Sequence, residues 1–419
     1  MKPTLESACA RDDADELRSF RDKFAVPTNS RGQQQLYLCG HSLGLMPLDA
    51  RRLVDQELDD WARLAVLGHE SAARPWIPYH QNLAAGLAYL TGARPDEVVA
   101  MNSLTVNLHL MLASFYRPAG KRVKILIEAG AFSSDRHAVA SQLAWHRQNI
   151  DTALVELAPE GGAEAVEAYL DQYGAEVALV LWPGVQFRTG QAFDLRRIIR
   201  AAHRAGCIAG VDLAHSIGNM PLALHEHDAD FAVWCSYKYL NAGPGAIGGC
   251  FVHERNISAA PASRLHGWWG HEAATRFRME PRFEAETGAA AWQISNPPIL
   301  SAAPLIASLE LFQAARIERL RAKSIALTGF LEELLQPLQS SVQLITPRAL
   351  ESRGCQLSMR ILGGGSRGKR VLDRLTELDV ICDWREPDVI RVAPIPLYNR
   401  FAEVLLFTER LAQVLREIS

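Results

Sequence analysis

The sequence contains no apolar run long enough to cross a membrane, and its N-terminal stretch lacks the apolar core of a secretion signal. These two absences predict a cytoplasmic protein with no membrane partner. Cysteine is also scarce, and the seven cysteines form no C-x-x-C pair and no Cys/His cluster with zinc spacing. We therefore expect reduced thiols and no bound metal.

A large excess of one charge is missing as well. The 44 basic and 47 acidic residues give a net charge of −3, so the sequence predicts no nucleic-acid partner. The hydrophobic content of 48% and the charged content of 22% are typical of globular proteins. A chain of 419 residues can form one large domain and one smaller domain. We expect an enzyme that acts on a small molecule.

Short apolar segments alternate with helical patterns through the middle of the chain. The strand candidates cover residues 97–102, 123–129, 177–184, 207–215, 231–237 and 246–253. Because they are apolar throughout, they indicate an α/β fold with a mostly parallel sheet and helices on both faces. Functional residues in such a sheet lie beyond the carboxyl ends of the strands.

The patterns divide the chain into three parts. We expect an N-terminal segment (1–48), a large cofactor-binding domain (49–304) and a C-terminal part (305–419). A helical pattern from about residue 305 to 336 opens the last part and predicts one long connecting helix. Shorter strand and helix patterns follow it and predict a smaller α+β domain.

Polar residues stand at three of the predicted strand ends. Asp212 and His215 close one strand, and Lys238 follows another. The segment around Thr105 joins a strand to a helix. Each position has an ordinary interpretation: an Asx turn, a strand-end lysine with its charge in water, and a plain helix cap.

Taken together, the three positions match the protein's part in pyridoxal phosphate chemistry. A lysine can bond covalently to the cofactor, an aspartate can pair with its protonated ring nitrogen, and a helix N-terminus can bind its phosphate. The glycine-rich run after Lys238, NAGPGAIGG, predicts a turn where backbone passes close to the lysine. Nothing in the sequence distinguishes a functional ring from a packed one at Tyr239.

The motifs around these positions resemble those of the kynureninase family. They read VDLAHSIGNMPLALHEHDADFAVWCSYKYLNAGPG, SLTVNLH, GWWGHE, ISNPPI and IRVAPIPLYN, and the matching stretches run from about residue 36 to 400. The resemblance implies the type I pyridoxal phosphate transferase-like fold. This fold has a large domain with a mostly parallel seven-stranded-type sheet and a smaller C-terminal α+β domain. The resemblance also implies a homodimer with its active sites at the subunit interface.

The resemblance assigns residues to three tasks. Catalysis falls to Lys238, Tyr237 and Asp212. Cofactor binding falls to Leu104, Thr105, Phe132, Asp135, Asp212, His215, Tyr237, Lys238, Trp268 and Asn296. Substrate binding falls to Ser42, His69, Asn296 and Arg391.

Specific roles are implied within that set. Lys238 bonds to pyridoxal 5'-phosphate and later moves the substrate's α-proton, while Asp212 faces the pyridine nitrogen. Phe132 stacks on the ring, and Tyr237 serves as a proton donor in later steps. Arg391 binds the substrate's α-carboxylate, because a guanidinium matches a carboxylate with two parallel hydrogen bonds.

The reaction implied is hydrolysis of the Cβ–Cγ bond of L-kynurenine or 3-hydroxy-L-kynurenine. Its products are L-alanine and anthranilate or 3-hydroxyanthranilate, within tryptophan degradation and the route to NAD. Ser42 and His69 match positions near the substrate's aromatic end. His69 with Ser295 and Asn296 resembles the set in relatives that favour the hydroxylated substrate, since a polar cavity can recognise an added hydroxyl.

Three positions depart from the family pattern. His41 stands where the family usually has asparagine, in GHSLGL. Ser133 replaces a proline in FSSD, and Pro183 stands where some relatives carry a serine near the cofactor. None is the lysine, the aspartate or the arginine, so these departures concern fine hydrogen bonding rather than the type of reaction.

Other enzymes of the same fold are the main alternatives. A cysteine desulfurase needs an exposed cysteine, and Cys355 precedes an alternating strand pattern, which predicts a packed thiol. An aminotransferase would release a keto acid instead of alanine. A non-catalytic protein of this fold is expected to have lost Lys238 or Asp212, and this chain has both.

Two further motifs have simpler interpretations. The run GGGSRGK (363–369) fits part of a phosphate loop, but Arg370 follows where Ser or Thr would bind magnesium. It therefore favours a strand-to-helix turn over a nucleotide site. His225 and His227 in ALHEHDAD favour an ordinary surface loop over a metal site.

Overall fold

The structure is a computed structural model that describes residues 3–258 and 264–418, without the side chain of Ser258. The strands are β1 Phe24–Ala25, β2 Leu36–Tyr37, β3 Met46–Pro47, β4 Val98–Ala100, β5 Lys124–Glu128, β6 Leu154–Leu157, β7 Val177–Pro183, β8 Ile208–Asp212, β9 Phe231–Trp234, β10 Gly249–Val252, β11 Val342–Leu344, β12 Leu357–Ile361, β13 Val380–Ile381, β14 Asp383–Arg385 and β15 Val389–Val392.

The helices alternate with these strands along the chain. They are α1 Leu5–Asp13, α2 Leu48–Leu64, α3 Gly68–Ser71, α4 Gln81–Thr91, α5 Leu104–Phe115, α6 Ser133–Trp145, α7 Ile150–Ala153, α8 Gly162–Tyr173, α9 Leu195–Arg204, α10 Glu254–Ser258, α11 Ile299–Ala315, α12 Ile317–Leu335, α13 Gly365–Glu377 and α14 Phe401–Glu417. Short 3₁₀ turns between them are not numbered.

Seven strands form the central sheet, in the order β4-β10-β9-β8-β7-β5-β6. The pairs from β6 to β9 are parallel, and β10 runs antiparallel to both of its neighbours. The mostly parallel seven-stranded sheet predicted from the sequence is therefore confirmed. The sequence did not reveal β6, because this edge strand is only partly buried and its sequence, LVEL, is not an apolar run.

The sheet is covered on both faces, which explains why its strands are apolar throughout. Successive residues of one strand enter opposite cores: Ile125 and Ile127 pack with α5 and α6, whereas Leu126 packs with the other helices. The helix α9 shows how a cover helix is specified. Asp194 caps it by accepting a hydrogen bond from the Arg197 amide, and its apolar side chains face the sheet. Within the described residues, every helix is too short or too polar to span a bilayer.

The C-terminal part has its own sheet, β11-β12-β15-β14, which is antiparallel and packs with α12, α13 and α14. The N-terminal segment joins this part, because β2 pairs in parallel with β13. Ala8, Leu36 and Leu38 enter the same apolar core. The smaller domain is therefore built from residues of both the N-terminal and the C-terminal parts of the chain.

The prediction of a single connecting helix from about residue 305 to 336 is wrong. Two helices, α11 and α12, meet at Arg316, whose φ of +67° breaks the helical path. The amide of Ile317 has no partner within its own helix and donates instead to the Tyr89 hydroxyl at 3.0 Å. This tertiary contact stabilises a break that no glycine or proline marks in the sequence.

Candidate active site

Lys238 and Asp212 lie at neighbouring strand ends of the central sheet. Asp212 is the last residue of β8, and Lys238 follows β9 in the turn after Trp234. The two strands are adjacent and parallel, so their carboxyl ends open at the same edge. The lysine and the aspartate therefore line one cavity, as their positions at strand ends predict.

This cavity, the inner cavity, encloses about 500 Å³ of empty space. It is lined by Leu104, Thr105, Glu128, Phe132, Ser134, Asp135, Pro183, Val185, Phe187, Asp212, Ala214, His215, Tyr237 and Lys238. Eight of the ten residues predicted to bind the cofactor are in this set, and Trp268 and Asn296 are not.

The Lys238 amine lies between aromatic rings and a histidine. Its Nζ is 3.1 Å from His215 Nε2 and lies 5.7 Å from the centre of the Phe132 ring and 5.9 Å from that of Tyr237. Burial lowers the pKa of His215 well below its usual value, and the nearby lysine charge lowers it further. A neutral imidazole can accept a hydrogen bond from the ammonium, so the histidine orients the lysine.

Three carboxyl groups line the same cavity. Asp212 is fixed by the hydrogen bond that its Oδ1 accepts from the Ala214 amide at 2.7 Å, the Asx contact that the sequence also allowed. Burial, and then the proximity of Asp212, raise the pKa of Asp135. Burial also raises the pKa of Glu128 to about 8. Acids packed this closely are stabilised by a cation, and a protonated pyridine nitrogen is one.

The same cavity also offers groups that suit an anion. The helices α5 and α6 both begin there, and neither N-cap, Ser103 or Phe132, makes a side-chain capping bond. Their first N–H groups and their positive dipole ends favour a phosphate. The hydroxyls of Thr105 and Ser134, 2.7 Å apart, join the two helix starts.

The residues of the inner cavity fit pyridoxal phosphate. A lysine, a facing carboxylate, an exposed aromatic ring and two helix N-termini match its aldehyde, ring nitrogen, ring face and phosphate in turn. The Oδ1 atom of Asp135 and the Nδ1 atom of His215 are buried without a hydrogen-bond partner among the described residues. Buried polar atoms without partners are rare, so both indicate a ligand beside them.

Arg391 lies outside this lining, within a separate cluster. Its Nε and Nη2 donate to both oxygens of Asp383, with 2.7 Å between Nε and Oδ1. Its Nη2 also donates to Ser42 Oγ at 2.9 Å, and its Nη1 donates to the carbonyl of Phe187 at 2.7 Å. Phe187 lines the inner cavity, so this cluster adjoins that cavity through one residue. Ser42, predicted near the substrate's aromatic end, accepts this hydrogen bond from Arg391, and its place beside the substrate stays a prediction.

His41, one of the departures from the family pattern, belongs to the same cluster. Its Nε2 lies 3.4 Å from Asp383 Oδ1, and its ring centre lies 6.4 Å from that of His215. Burial, and then the charge of Arg391, lower the pKa of His41 to about 4, so the ring is neutral near pH 7. This departure therefore affects the surroundings of Arg391 rather than Lys238.

The other departures fit their places in the fold. Ser133 is the first residue of α6, a position where proline is common because its fixed φ suits a helix start. Serine therefore leaves the helix start unchanged. Pro183 ends β7 directly opposite Asp212 and lines the inner cavity.

The remaining predicted residues form a second group. His69, Trp268 and Asn296 are all exposed and line an outer cavity of about 1010 Å³ of open space. Val66, Leu67, Glu70, Ser71, Ile77, Trp269 and Phe277 complete its lining. Trp268 stacks on Trp269 with 5.5 Å between ring centres. No described residue lines both cavities.

The turn after Lys238 differs from the expectation in one respect. Gly243 and Gly245 have φ of +85° and +71° and open space around them, so they serve the turn's conformation rather than a close contact. The backbone that passes close to Lys238 belongs to Gly44, where a Cβ would lie 2.4 Å from the Lys238 carbonyl oxygen. Tyr239 is a packed ring: it is 2% exposed and lies edge-on to His215.

The alternative motifs have structural explanations. Cys355 is 1% exposed, and burial raises its pKa to about 12, so the predicted packed thiol is confirmed. The run at 363–369 begins in the turn after β12 and continues into the first residues of α13, where Lys369 pairs with Asp373. His225 hydrogen bonds to Glu97, which also accepts two backbone amides.

The sequence did not reveal several residues of the site. Glu128 ends β5, and the strand-end argument used for Asp212 could have found it. Ser134 belongs to the FSSD motif that was noted for Ser133. Asp383 and Arg385 had no local signal, because their position beside Arg391 depends on the pairing of β14 with β15.

Comparisons with protein families agree with this geometry. The family model described as aminotransferase class-V matches residues 54–362, and the model described as kynureninase C-terminal domain matches residues 320–411. A kynureninase of Xanthomonas campestris pv. campestris (strain B100) is 55% identical over 403 residues, which cover 95% of both chains. A kynureninase of Xanthomonas euvesicatoria pv. vesicatoria (strain 85-10) is 54% identical and covers 96% of both.

Solved structures share the fold at much lower identity. The C-DES mutant K223A, with glycine covalently linked to its pyridoxal phosphate cofactor, has a TM-score of 0.76 at 19% identity and covers 90% of this chain and 96% of its own. The cysteine desulfurase CsdA from Escherichia coli has a TM-score of 0.76 at 17% identity and covers 96% and 99%. At these identities the likeness concerns the fold alone.

Proposed function

This chain belongs to the kynureninase family, and from that premise we propose how its own residues carry out the reaction. It is a pyridoxal phosphate-dependent hydrolase that acts on a carbon–carbon bond and releases L-alanine and an anthranilate. The observation that carries the mechanism is that Lys238 and Asp212 face one cavity from adjacent strand ends. The desulfurase and aminotransferase alternatives have no comparable support.

The cofactor, when bound, withdraws electrons from the substrate's α-carbon and its neighbours, so that bonds there can break. Asp212 keeps the ring nitrogen protonated through an opposite charge, which is the condition for that withdrawal. Lys238 would hold the cofactor through its Nζ, and the same amine is placed to take the proton from the substrate's α-carbon. His215, 3.1 Å from Nζ, orients the amine during that transfer.

Proton delivery falls to Tyr237. Burial raises its pKa above the usual value, so the hydroxyl keeps its proton at neutral pH and can donate it. Its ring centre lies 5.9 Å from Lys238 Nζ, which supports a role beside the lysine. Leu104, Thr105 and Ser134 would hold the phosphate through the two helix starts, and Phe132 would pack on the ring.

Substrate is bound at its two ends by different groups. Arg391, with Ser42 hydrogen bonded to it, binds the α-carboxylate. His69 and Asn296 bind the aromatic end, and Ser295 donates to Asn296 Oδ1 at 3.2 Å. A histidine and an amide favour 3-hydroxykynurenine over kynurenine, because both can hydrogen bond to the added hydroxyl.

The assay for this function offers kynurenine and 3-hydroxykynurenine separately to the cofactor-loaded enzyme. We expect alanine together with the matching anthranilate, and neither product from Lys238→Ala. The violet absorbance of the lysine-bound cofactor should also be lost in that variant. An unchanged band in Lys238→Ala would contradict the assignment of the lysine, and pyruvate in place of alanine would indicate an aminotransferase.

We propose a homodimer in which the outer cavity of one subunit completes the inner cavity of the other. Support comes from the division of the predicted site residues between two cavities that share no lining residue among those described. Apolar side chains around the outer cavity also face water: Val66 is 73% exposed, Leu67 64% and Phe277 55%. An apolar surface of this kind is typical of a protein interface.

A mixing experiment tests the shared site. Lys238→Ala and Trp268→Ala each damage every site of their own homodimers, but a mixed dimer has one site with both residues intact. If half of the dimers are mixed and half of their sites are intact, about a quarter of wild-type activity returns. No return of activity in the mixture would mean that Trp268 serves the site of its own chain.

We also propose that the enzyme acts in the cytoplasm, in tryptophan degradation and the route to NAD. The substrate class of the family and the absence of a membrane-spanning helix among the described residues support this location and role. Localisation of a tagged chain in the source cell tests the first part, and kynurenine accumulation after deletion tests the second.

A further inference from the structure

Arg391 is not alone in its cluster, because a second arginine lies on the same face of the small sheet. Residues 383 and 385 alternate along β14, so Asp383 and Arg385 point to one face. Asp383 is the direct cross-strand partner of Arg391 on β15. One carboxylate therefore lies between two guanidinium groups.

Arg391 has little left to offer an incoming anion. Four of its five N–H groups are engaged, two by Asp383, one by Ser42 and one by the carbonyl of Phe187. Its side chain is only 1% exposed. The pairing with Asp383 fixes this guanidinium, since an unpaired buried charge would be costly.

Arg385 is different in both respects. Its side chain is 37% exposed, and it gives Asp383 Oδ2 one hydrogen bond from Nη2 at 3.2 Å. Its Nε is buried and has no hydrogen-bond partner among the residues that the structure describes. A buried guanidinium nitrogen without an acceptor is the kind of group that a ligand oxygen satisfies.

The charges of the cluster leave one positive charge unbalanced. Arg391 and Arg385 contribute two, and Asp383 removes one. Burial lowers the pKa of His41 to about 4 and raises that of Cys39 to about 12, so both are neutral near pH 7. A single carboxylate from a ligand would make the cluster neutral.

Arg385 also lies close enough to the inner cavity to act on its residues. Burial raises the pKa of Tyr237, and the charge of Arg385 acts in the opposite direction. Its charge likewise adds to the lowering of the pKa of His215 that burial begins. Both of these residues line the inner cavity beside Lys238.

We propose that Arg385 is a second arginine that binds the substrate's α-carboxylate, while Asp383 orients Arg391 behind it. This inference rests on the proposed function, in which an amino-acid carboxylate docks at Arg391. It adds a residue that discriminates amino acids from amines without a carboxylate. Arg385, whose Nε has no acceptor among the described residues, can offer the carboxylate a fork of donors, while Arg391 adds its charge and its one remaining N–H.

The test compares two small ligands that differ in one charge. The cofactor-loaded enzyme is titrated with L-alanine and with L-alaninamide, which lacks the carboxylate, and the change in cofactor absorbance gives each Kd. In Arg385→Met we expect the Kd of alanine to rise about tenfold to a hundredfold, whereas that of alaninamide changes less than about twofold. If the Kd of alanine divided by the Kd of alaninamide is the same in the variant as in wild type, including when both Kd values rise equally, the proposal is overturned.

Arg360→Met is the matched control. Arg360 lies on β12 of the same sheet, its side chain is also 37% exposed, and it pairs with Asp388. In Arg360→Met the Kd of alanine divided by the Kd of alaninamide should equal the wild-type value. If Arg385→Met fails to retain cofactor, Arg385→Lys is measured in its place, because lysine keeps the charge but lacks the fork of donors. A rise of at least about threefold in the Kd of alanine divided by the Kd of alaninamide supports the proposal. An unchanged value of this quotient overturns it.

Failure of this inference is distinguishable from failure of the proposed function. A wild-type enzyme that binds alanine no better than alaninamide would contradict the carboxylate site as a whole. A wild-type preference that survives in Arg385→Met but disappears in Arg391→Met would contradict Arg385 alone.

Discussion

The inner and outer cavities differ in what one chain supplies. The inner cavity is lined by buried acids, a histidine and a lysine, which come from the strand ends of the central sheet and from the first turn of α6. The outer cavity has exposed side chains, several of them apolar, from the short turn after α2, from α3 and from segments without regular helix or strand. The first has polar groups that are costly to bury, and the second has apolar groups that are costly to expose.

That difference indicates what each cavity needs. A cofactor with a cationic ring and an anionic phosphate suits the inner cavity, whereas in the proposed dimer a second copy of the chain would cover the outer one.

Removing the charge of Asp212 should have the largest effect. Asp212→Asn keeps the shape and can still accept from the Ala214 amide, but it cannot keep the ring nitrogen protonated. We expect kcat/KM for kynurenine to fall about 10³-fold or more, with cofactor still bound. The control is Asp230→Asn, whose aspartate is 4% exposed but pairs with His203 and Arg255. That variant should lose stability while the folded enzyme keeps its activity.

Glu128→Gln should stabilise the cofactor-free protein at high pH. Burial raises the pKa of Glu128 from 4.5 to about 8, so between these pH values the unfolded chain loses a proton that the folded chain keeps. The contribution of this group to stability therefore falls as pH rises through that window. We expect the variant to gain up to about 4 kcal/mol of unfolding free energy near pH 8 but only about 1 kcal/mol near pH 5.

Urea denaturation at both pH values measures this gain. Glu156→Gln serves as the control, because Glu156 lies on the adjacent strand β6 and forms a partly exposed pair with Arg136. Its replacement should change stability by less than about 1 kcal/mol at either pH. A gain in Glu128→Gln that does not depend on pH would contradict the burial of a protonated acid.

The inner cavity was more predictable from the sequence than the outer one. Asp212 and Lys238 follow apolar strands, and the edge where parallel strands end is fixed by topology, so their meeting could be inferred without coordinates. The central sheet was predictable for the same reason. The edge strand β6 was not, because exposure on one side removes the apolar run that marks a buried strand.

Residues that meet through tertiary contacts gave no such signal. The break at Arg316 is stabilised by the hydrogen bond from the Ile317 amide to the hydroxyl of Tyr89, which is 228 residues from Ile317 in sequence. Asp383 meets Arg391 only because β14 pairs with β15. The roles of Trp268 and Asn296 came from family resemblance, since their local sequence is irregular and their cavity is open to solvent.

A charge placed on the rim of the outer cavity should weaken the proposed dimer. Leu67 is 64% exposed, and Leu67→Glu would bury a carboxylate in an apolar interface. We expect the dimer dissociation constant to rise about tenfold to a hundredfold, with activity falling on dilution. Light scattering over a concentration series measures this. Trp145→Glu is the control, because Trp145 is 84% exposed at the end of α6 and away from both cavities. Equal dissociation in both variants would contradict the location of the interface.

The smallest effect concerns the choice between two substrates. His69 is exposed, lies edge-on to Trp76 with 5.5 Å between ring centres, and lines the outer cavity with Asn296. In His69→Leu the substrate's added hydroxyl would lose a hydrogen-bond partner, while kynurenine would lose only packing. We therefore expect the ratio of kcat/KM for 3-hydroxykynurenine over kynurenine to fall about fivefold to tenfold. His266→Leu is the control, since this exposed histidine stacks on Phe283 outside the outer cavity. If kcat/KM falls by the same factor for both substrates in His69→Leu, the histidine contributes to the wall of the cavity and not to recognition of the hydroxyl.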